Sequence, residues 1–270
     1  MYPLKIAFSS YAIIGITLLI VAITVAVYLS CLTSKTRATR ALIFFFSCIA
    51  LSGGATLLTN SLVHWGRLFT PWQDFWILAG GIALIQFAYL LPDKKVSRET
   101  RAVTIAMSSL VVLALVYCLI FSYNFLFNWS PQVLVSDFYY LLLPIGTFGI
   151  VLLYIKRCVE VSAHDKSSDA RITLKTFLEH LIRPSGNYAK VLRNFAVALS
   201  LAFLPGFQTL FQFPGILGFI LSNIGSILAI VTIGMVYLNY APEIESFMAK
   251  LVGITLATVL LILAVFGSVD

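Results

Sequence analysis

Charge is what this chain has least of. Only 11 % of its 270 residues are charged, 18 basic against 11 acidic. A soluble domain is about 25 % charged and roughly 45–50 % apolar. Here 60 % of residues are hydrophobic and the mean hydropathy is +0.98. There is too little polar surface to cover so much apolar surface, which excludes a soluble globular domain. Disorder needs low hydrophobicity and is excluded too. A nucleic-acid partner is also a poor fit, because the formal +7 is divided among several short loops and forms no single basic patch.

Other absences narrow the chemistry. The four cysteines, Cys31, Cys48, Cys118 and Cys158, show no C-x-x-C spacing and read as small buried hydrophobes. Ionisable side chains are nearly missing from the apolar runs, whereas pumps and ion-coupled carriers place such groups at mid-membrane. No histidine lies inside a run, so no Ser–His dyad for intramembrane hydrolysis forms there. Residues 216–240 contain no lysine for a retinal Schiff base. No catalytic group, metal or cofactor is expected.

What the chain has in quantity is long apolar runs. These are mostly continuous, without the alternation of a β-barrel strand, and only helices satisfy their own backbone groups in such a run. About 162 apolar positions, at ~20 residues per span, suit about eight spans. They fall at 8–32, 41–63, 74–91, 102–126, 137–154, 195–210, 216–240 and 250–267. The sixth is short and broken by Pro205 and Gly206. The first is too long for a signal-peptide core and is followed by retaining basic residues. The fold class is thus all-α, a polytopic transmembrane helical bundle: a seven-helix, receptor-like core (1–240) plus an eighth span and an external C-terminus (241–270).

Lysine and arginine counts in short loops set orientation. The first, third and fifth loops carry three, four and eight, while the second holds only Arg67 and the fourth none. The odd loops are therefore expected in the cytoplasm, with the N-terminus outside. A cell (inner) membrane location follows, with the lipid bilayer as one partner and its anionic head groups suited to the basic loops.

The most distinctive stretch is the external one between spans two and three. It gathers three of the four tryptophans, Trp65, Trp72 and Trp76, with His64, Arg67 and Asp74. One reading is an aromatic belt at headgroup level. The other is a cap over an unknown small ligand, with His64, Arg67, Trp72, Asp74 and Trp76 supplying polar and aromatic contacts. Asn60 and Asn223, polar residues inside spans, join that candidate set. A haem needs axial ligands, and His64 stands alone on that side.

Small residues recur at helix-packing spacing: Ser52, Gly53, Gly54 and Ala55 in span two, Gly80 and Gly81 in span three, Gly218, Ser222 and Ser226 in span seven. In the long fifth loop, 155–194, Leu174, Phe177, Leu178, Leu181 and Ile182 share one helical face, opposite Arg171, Lys175 and Glu179. This amphipathic segment ends before Pro184 and reads as a helix on the inner leaflet or a docking surface for a cytoplasmic partner. His180 lies between two spans and has no ATP-binding domain to serve it, which excludes phosphotransfer. Asn128, Trp129 and Ser130 form a weak glycosylation sequon.

Several motifs resemble one family. Gln86, Phe87, Ala88, Tyr89, Leu90, Leu91 and Pro92, closing span three, resemble the Phe-Ala-x-x-x-Pro ending of the N-terminal seven-helix sensor region of bacterial sensor histidine kinases and related membrane signalling proteins. The small-rich span two and the run Asn239, Tyr240, Ala241, Pro242 and Glu243 are similar to members of that group. The resemblance covers about 7–240. It implies a sensor or receptor module in signal transduction, acting through a cytoplasmic or covalently attached signalling partner. The chain departs from the pattern after span seven, where an eighth span follows in place of an output domain. Both a membrane portion of a longer protein and a stand-alone bundle remain open. The alternative function is an uncoupled carrier or lipid-handling permease, suggested by the Pro205 break and the glycine pairs.

Overall fold

The computed structural model describes residues 5–6, 9–32, 35–91, 98–127, 136–165, 174–201 and 225–240. Most of the expected sixth span with Pro205 and Gly206, the start of the seventh with Asn223, the whole eighth, and the Asn128 sequon lie outside the described residues.

The described chain is helical: α1 (Ser10–Ser30), α2 (Arg37–Ser61), a 3-10 turn (Gly66–Leu68), α3 (Thr70–Leu90), α4 (Arg98–Leu126), α5 (Ser136–Asp165), α6 (Leu174–Ile182), α7 (Asn187–Ser200) and α8 (Gly225–Tyr240). Helix starts follow local chemistry. The Ser9 side chain caps α1 by accepting from the Ala12 N–H at 3.3 Å, and Thr36 caps α2 by accepting from Thr39 N–H at 3.1 Å. Pro71 occupies the first turn of α3, where its missing N–H costs nothing. Among the described residues, three segments are long and apolar enough to cross a membrane: Arg37–Ser61, Gly66–Leu90 and Arg98–Leu126. Ile14–Ser30 and Leu228–Tyr237 are apolar but shorter.

Three boundaries differ from the sequence reading. Helix α3 begins at Thr70 and not at 74, so Trp72 and Asp74 sit on the helix itself. Helix α5 runs to Asp165, well past 154. Its charged residues lower the hydropathy, yet Val151, Tyr154, Cys158, Val159 and Ser162 still form one buried helical face. Helix α7 begins at Asn187, ahead of 195. It buries Ala189, Leu192, Phe195, Ala196 and Leu199 while exposing Tyr188 and Lys190. The expected loop 155–194 is therefore largely helix.

Among the described helices, α1, α2, α3, α5, α7 and α8 pack in a closed ring, each against the next, and α4 lies outside against α3. Glycine sets the α1–α2 approach. A Cβ on Gly15 would sit 2.5 Å from Leu57 N, and one on Gly53 2.7 Å from Leu19 N. The ring closes on aromatic side chains. Phe87 stacks on Phe195 at 4.7 Å between centroids, Tyr154 stacks on Phe195 at 5.7 Å, and Tyr237 meets Phe87 edge-on at 5.9 Å. Their hydroxyls are satisfied: Tyr154 donates to the Leu84 carbonyl at 2.9 Å, and Tyr237 shares a 2.7 Å hydrogen bond with Thr39. Helix α4 is different in kind. It buries Ala114 and Cys118, and it leaves Ile105, Val112, Leu113, Leu119 and Ile120 exposed.

Candidate functional site

Helix α3 carries polar and aromatic chemistry at both of its ends. At the tryptophan end, α1 and α2 are tied by Ser9 Oγ, which donates to the Asn60 carbonyl at 3.1 Å, and by an isolated antiparallel bridge between Ile6 and Leu62. The turn that follows is tight. The Gly66 N–H donates to the Leu62 carbonyl at 2.9 Å, and a Cβ on Gly66 would collide with the Thr59 carbonyl, so only glycine fits.

From that turn α3 sets its aromatic side chains against α4. Trp72 and Trp76 flank the buried Phe75 in edge-to-face contacts at 5.8 and 4.9 Å. The Trp72 indole N–H donates to Ser122 Oγ at 3.1 Å, and Cys118 Sγ donates to the Pro71 carbonyl at 3.3 Å. Trp65 meets Phe125 edge-on at 6.0 Å. Asp74 is half-buried, near enough to Tyr117 and Cys118 of α4 to act on both electrostatically, and no ion pair among the described residues joins it to Arg67.

The sequence candidates thus separate. Trp72 and Trp76 belong to one aromatic cluster on α4, with Asp74 beside it. His64 and Arg67 are exposed on the turn. The Asn60 side-chain amide is occupied locally, donating to the Thr56 carbonyl at 2.8 Å. Asn223 lies outside the described residues. Two groups of hydroxyls behave differently, Thr56 and Thr59 among them, which the sequence marks with Asn60 as polar residues inside span two. Ser47, Thr56, Ser109 and Ser200 each donate back to the carbonyl four residues earlier. By contrast, the Thr59 and Ser61 hydroxyls, buried at the tryptophan end of α2, have no hydrogen-bond partner among the described residues. A buried polar atom without a partner is uncommon.

No family model, curated protein or solved structure matches this chain. Among the described residues, no group of three or more His, Cys, Asp and Glu side chains is placed to hold a metal ion.

At the other end of α3 the chemistry is ionic. The Tyr89 hydroxyl donates to Glu99 Oε1 at 2.9 Å, and Lys156 Nζ reaches the same oxygen at 2.6 Å. Arg157 lies over the Tyr89 ring, 5.4 Å from its centroid, and pairs with Glu160 at 2.9 Å. One carboxylate therefore joins α3, α4 and α5. Glu99 precedes the apolar stretch of α4, and hydrogen bonds from Lys156 and then Tyr89 hold its carboxyl below the usual glutamate range. The same bond to Glu99 raises the Lys156 ammonium. A turn further along α5, Ser162 shares a 3.0 Å hydrogen bond with His180 Nδ1 and accepts from the Ser185 N–H at 2.9 Å.

Sequence reasoning missed Glu99, Lys156, Ser162 and Ser185 as partners. Each pair is made across a fold that brings distant positions together, and a lone charge or serine in sequence carries no sign of its partner. Trp72 gave a partial signal: an indole N–H away from water seeks an acceptor, though nothing pointed to Ser122.

Proposed function

We propose that this chain is a multi-pass module of the cell (inner) membrane, without enzymatic activity, that passes a stimulus from its outer face to its cytoplasmic face. The architecture proposed is eight spans: a seven-helix sensor-like unit over 1–240 and a further span within 241–270, with the N-terminus outside. The exposed apolar side chains of α4 support the membrane reading, since a row of Ile105, Val112, Leu113 and Ile120 facing water would be strongly unfavourable.

The observation that carries the signalling reading is α3 itself. Its first turns hold the tryptophan cluster, and Tyr89, seventeen residues on and ~26 Å along the axis, holds the Glu99 node. The aromatic core adjoins that node, with Phe87 two residues before Tyr89 and Tyr154 two before Lys156. A ligand engaging Trp72, Asp74 and Trp76 would shift the packing of α3 on α4, and Tyr89 would carry that shift to Glu99, Lys156 and Arg157. Such a device works when both ends bias one two-state element. A signalling partner, covalently attached or separate, would read the cytoplasmic end, as the resemblance to the sensor region of histidine kinases implies. A carrier draws little support from the glycine pairs, since Gly53 and Gly80, one from each pair, are occupied in helix contact.

Hydrogen exchange on the full chain in lipid discs tests the coupling. Trp72→Phe removes the indole donor to Ser122 and keeps most of the ring. The sensor reading expects faster exchange at 98–101 and 156–160 as well as locally. A change confined to 70–80 and 115–126 overturns it. Accumulation of a solute by proteoliposomes holding this protein alone would favour the carrier.

A further inference from the structure

Helix α6 is held to the bundle through a polar residue, with Phe177 and Leu181 half-buried beside it. Its one buried residue among those described is polar: His180, anchored to Ser162 of α5. Ser185 completes the clamp, its hydroxyl donating to the Ser162 carbonyl at 2.6 Å, and Arg193 of α7 donates to the Ile182 carbonyl at 3.0 Å. The outer edge of its apolar face is left open. Ile182 is 65 % exposed and Leu178 is 46 % exposed, one turn apart. Immediately round the helix from them come Lys175 and Arg183, both exposed, with Glu179 between.

We infer that α6 is a membrane-surface helix that seats Leu178 and Ile182 in the acidic lipid of the inner leaflet. Three observations favour lipid as the occupant. The clamp fixes depth: Arg193, which holds Ile182, lies against Cys158, four residues and ~6 Å past Tyr154 along α5. With the fifth span ending at 154, as the membrane reading has it, that level falls in the interfacial zone between hydrocarbon and water. Next, the exposed edge pairs aliphatic side chains with flanking cations, the arrangement that binds an anionic surface. Last, Lys190 at the start of α7 is a further exposed cation, one turn before the Arg193 that holds Ile182. The inference rests on the membrane reading and is independent of the signalling one.

Spin labels on the full chain test it, in a Cys31→Ser background, with the protein in vesicles of phosphatidylcholine and phosphatidylglycerol. A label on Val112→Cys reports insertion. A label on Ile182→Cys is expected to meet oxygen and be shielded from an aqueous nickel complex, and one on Glu179→Cys to show the reverse. Pure phosphatidylcholine, or Lys175→Glu with Arg183→Glu, should move the Ile182 label towards water. If the Val112 label is open to nickel, the membrane reading itself fails. If Val112 is inserted and Ile182 is open to nickel, α6 does not sit in lipid. Shielding of Ile182 from both reagents means a protein covers it, and insensitivity to lipid charge and to the double charge reversal removes the acidic-lipid specificity; each overturns the inference.

Discussion

Glu99 is a single carboxylate that three helices use, and its titration has a defined sign. Its folded carboxyl lies below the ordinary glutamate range, so its contribution is fully present above the unfolded value and is lost as pH falls through the folded one. Lys156 is raised, so its contribution holds at lower pH and is lost as pH rises through the raised value. The tie is therefore intact across the neutral range. Both side chains are half exposed, which keeps the effect small, under about 1 kcal/mol. Thermal unfolding in detergent should show a modest acid-side loss of stability in the native chain, reduced in Glu99→Gln. An identical acid slope in the variant would remove Glu99 from the account. Cysteine reactivity offers a second residue-scale test. Cys31 is exposed, while Cys158 is buried and burial pushes its thiol up to about 11. Maleimide at neutral pH should add one adduct to the folded protein, on Cys31, as read by peptide mass. Rapid modification of Cys158 would contradict its placement against α7.

Between elements, glycine decides how closely α1 and α2 approach. Gly15→Ala and Gly53→Ala each force a methyl group onto neighbouring backbone, 2.5 and 2.7 Å from the nearest atoms. Overpacking of that kind costs about 1–3 kcal/mol. Gly54→Ala is the control, since its nearest neighbour would be 3.9 Å away. The melting temperature should fall for the first two and hold for the third; equal effects at all three would mean that helix propensity alone, and no close contact, is being measured. The small residues of span two were legible as packing residues, and which of the two glycines faces α1 was not. Hydropathy found α1 to α4 because their apolar runs are long. It ended α5 at 154 and began α7 at 195 because Lys156, Arg157, Glu160, Lys190 and Arg193 dilute the average. The helices continue regardless, since burial of one face at 3.6-residue spacing suffices. The amphipathic segment at 174–182 is also legible, but the clamp through His180 is not, because it depends on Ser162 and Ser185, which no local pattern connects.

At the scale of the molecule, the two ends of the bundle differ in charge. Arg37, Arg40, Arg98, Arg101, Lys156 and Arg157 cluster where α2 and α4 begin and α5 runs out, while Lys5 and Arg67 are the described cations at the tryptophan end. The helices alternate in direction, so one sided probe reads the whole arrangement. Basic residues resist translocation when they flank apolar segments, which is why the proposal puts the Glu99 node in the cytoplasm and the tryptophan cluster outside. Thr70 and Lys190 are both exposed and lie at opposite ends. In a Cys31→Ser background, a membrane-impermeant maleimide applied to intact cells should label Thr70→Cys and leave Lys190→Cys untouched until the membrane is opened. The reverse pattern would invert the orientation. It would also move the candidate ligand cluster to the cytoplasmic side and α6 to the outer leaflet, so one measurement constrains both functional readings.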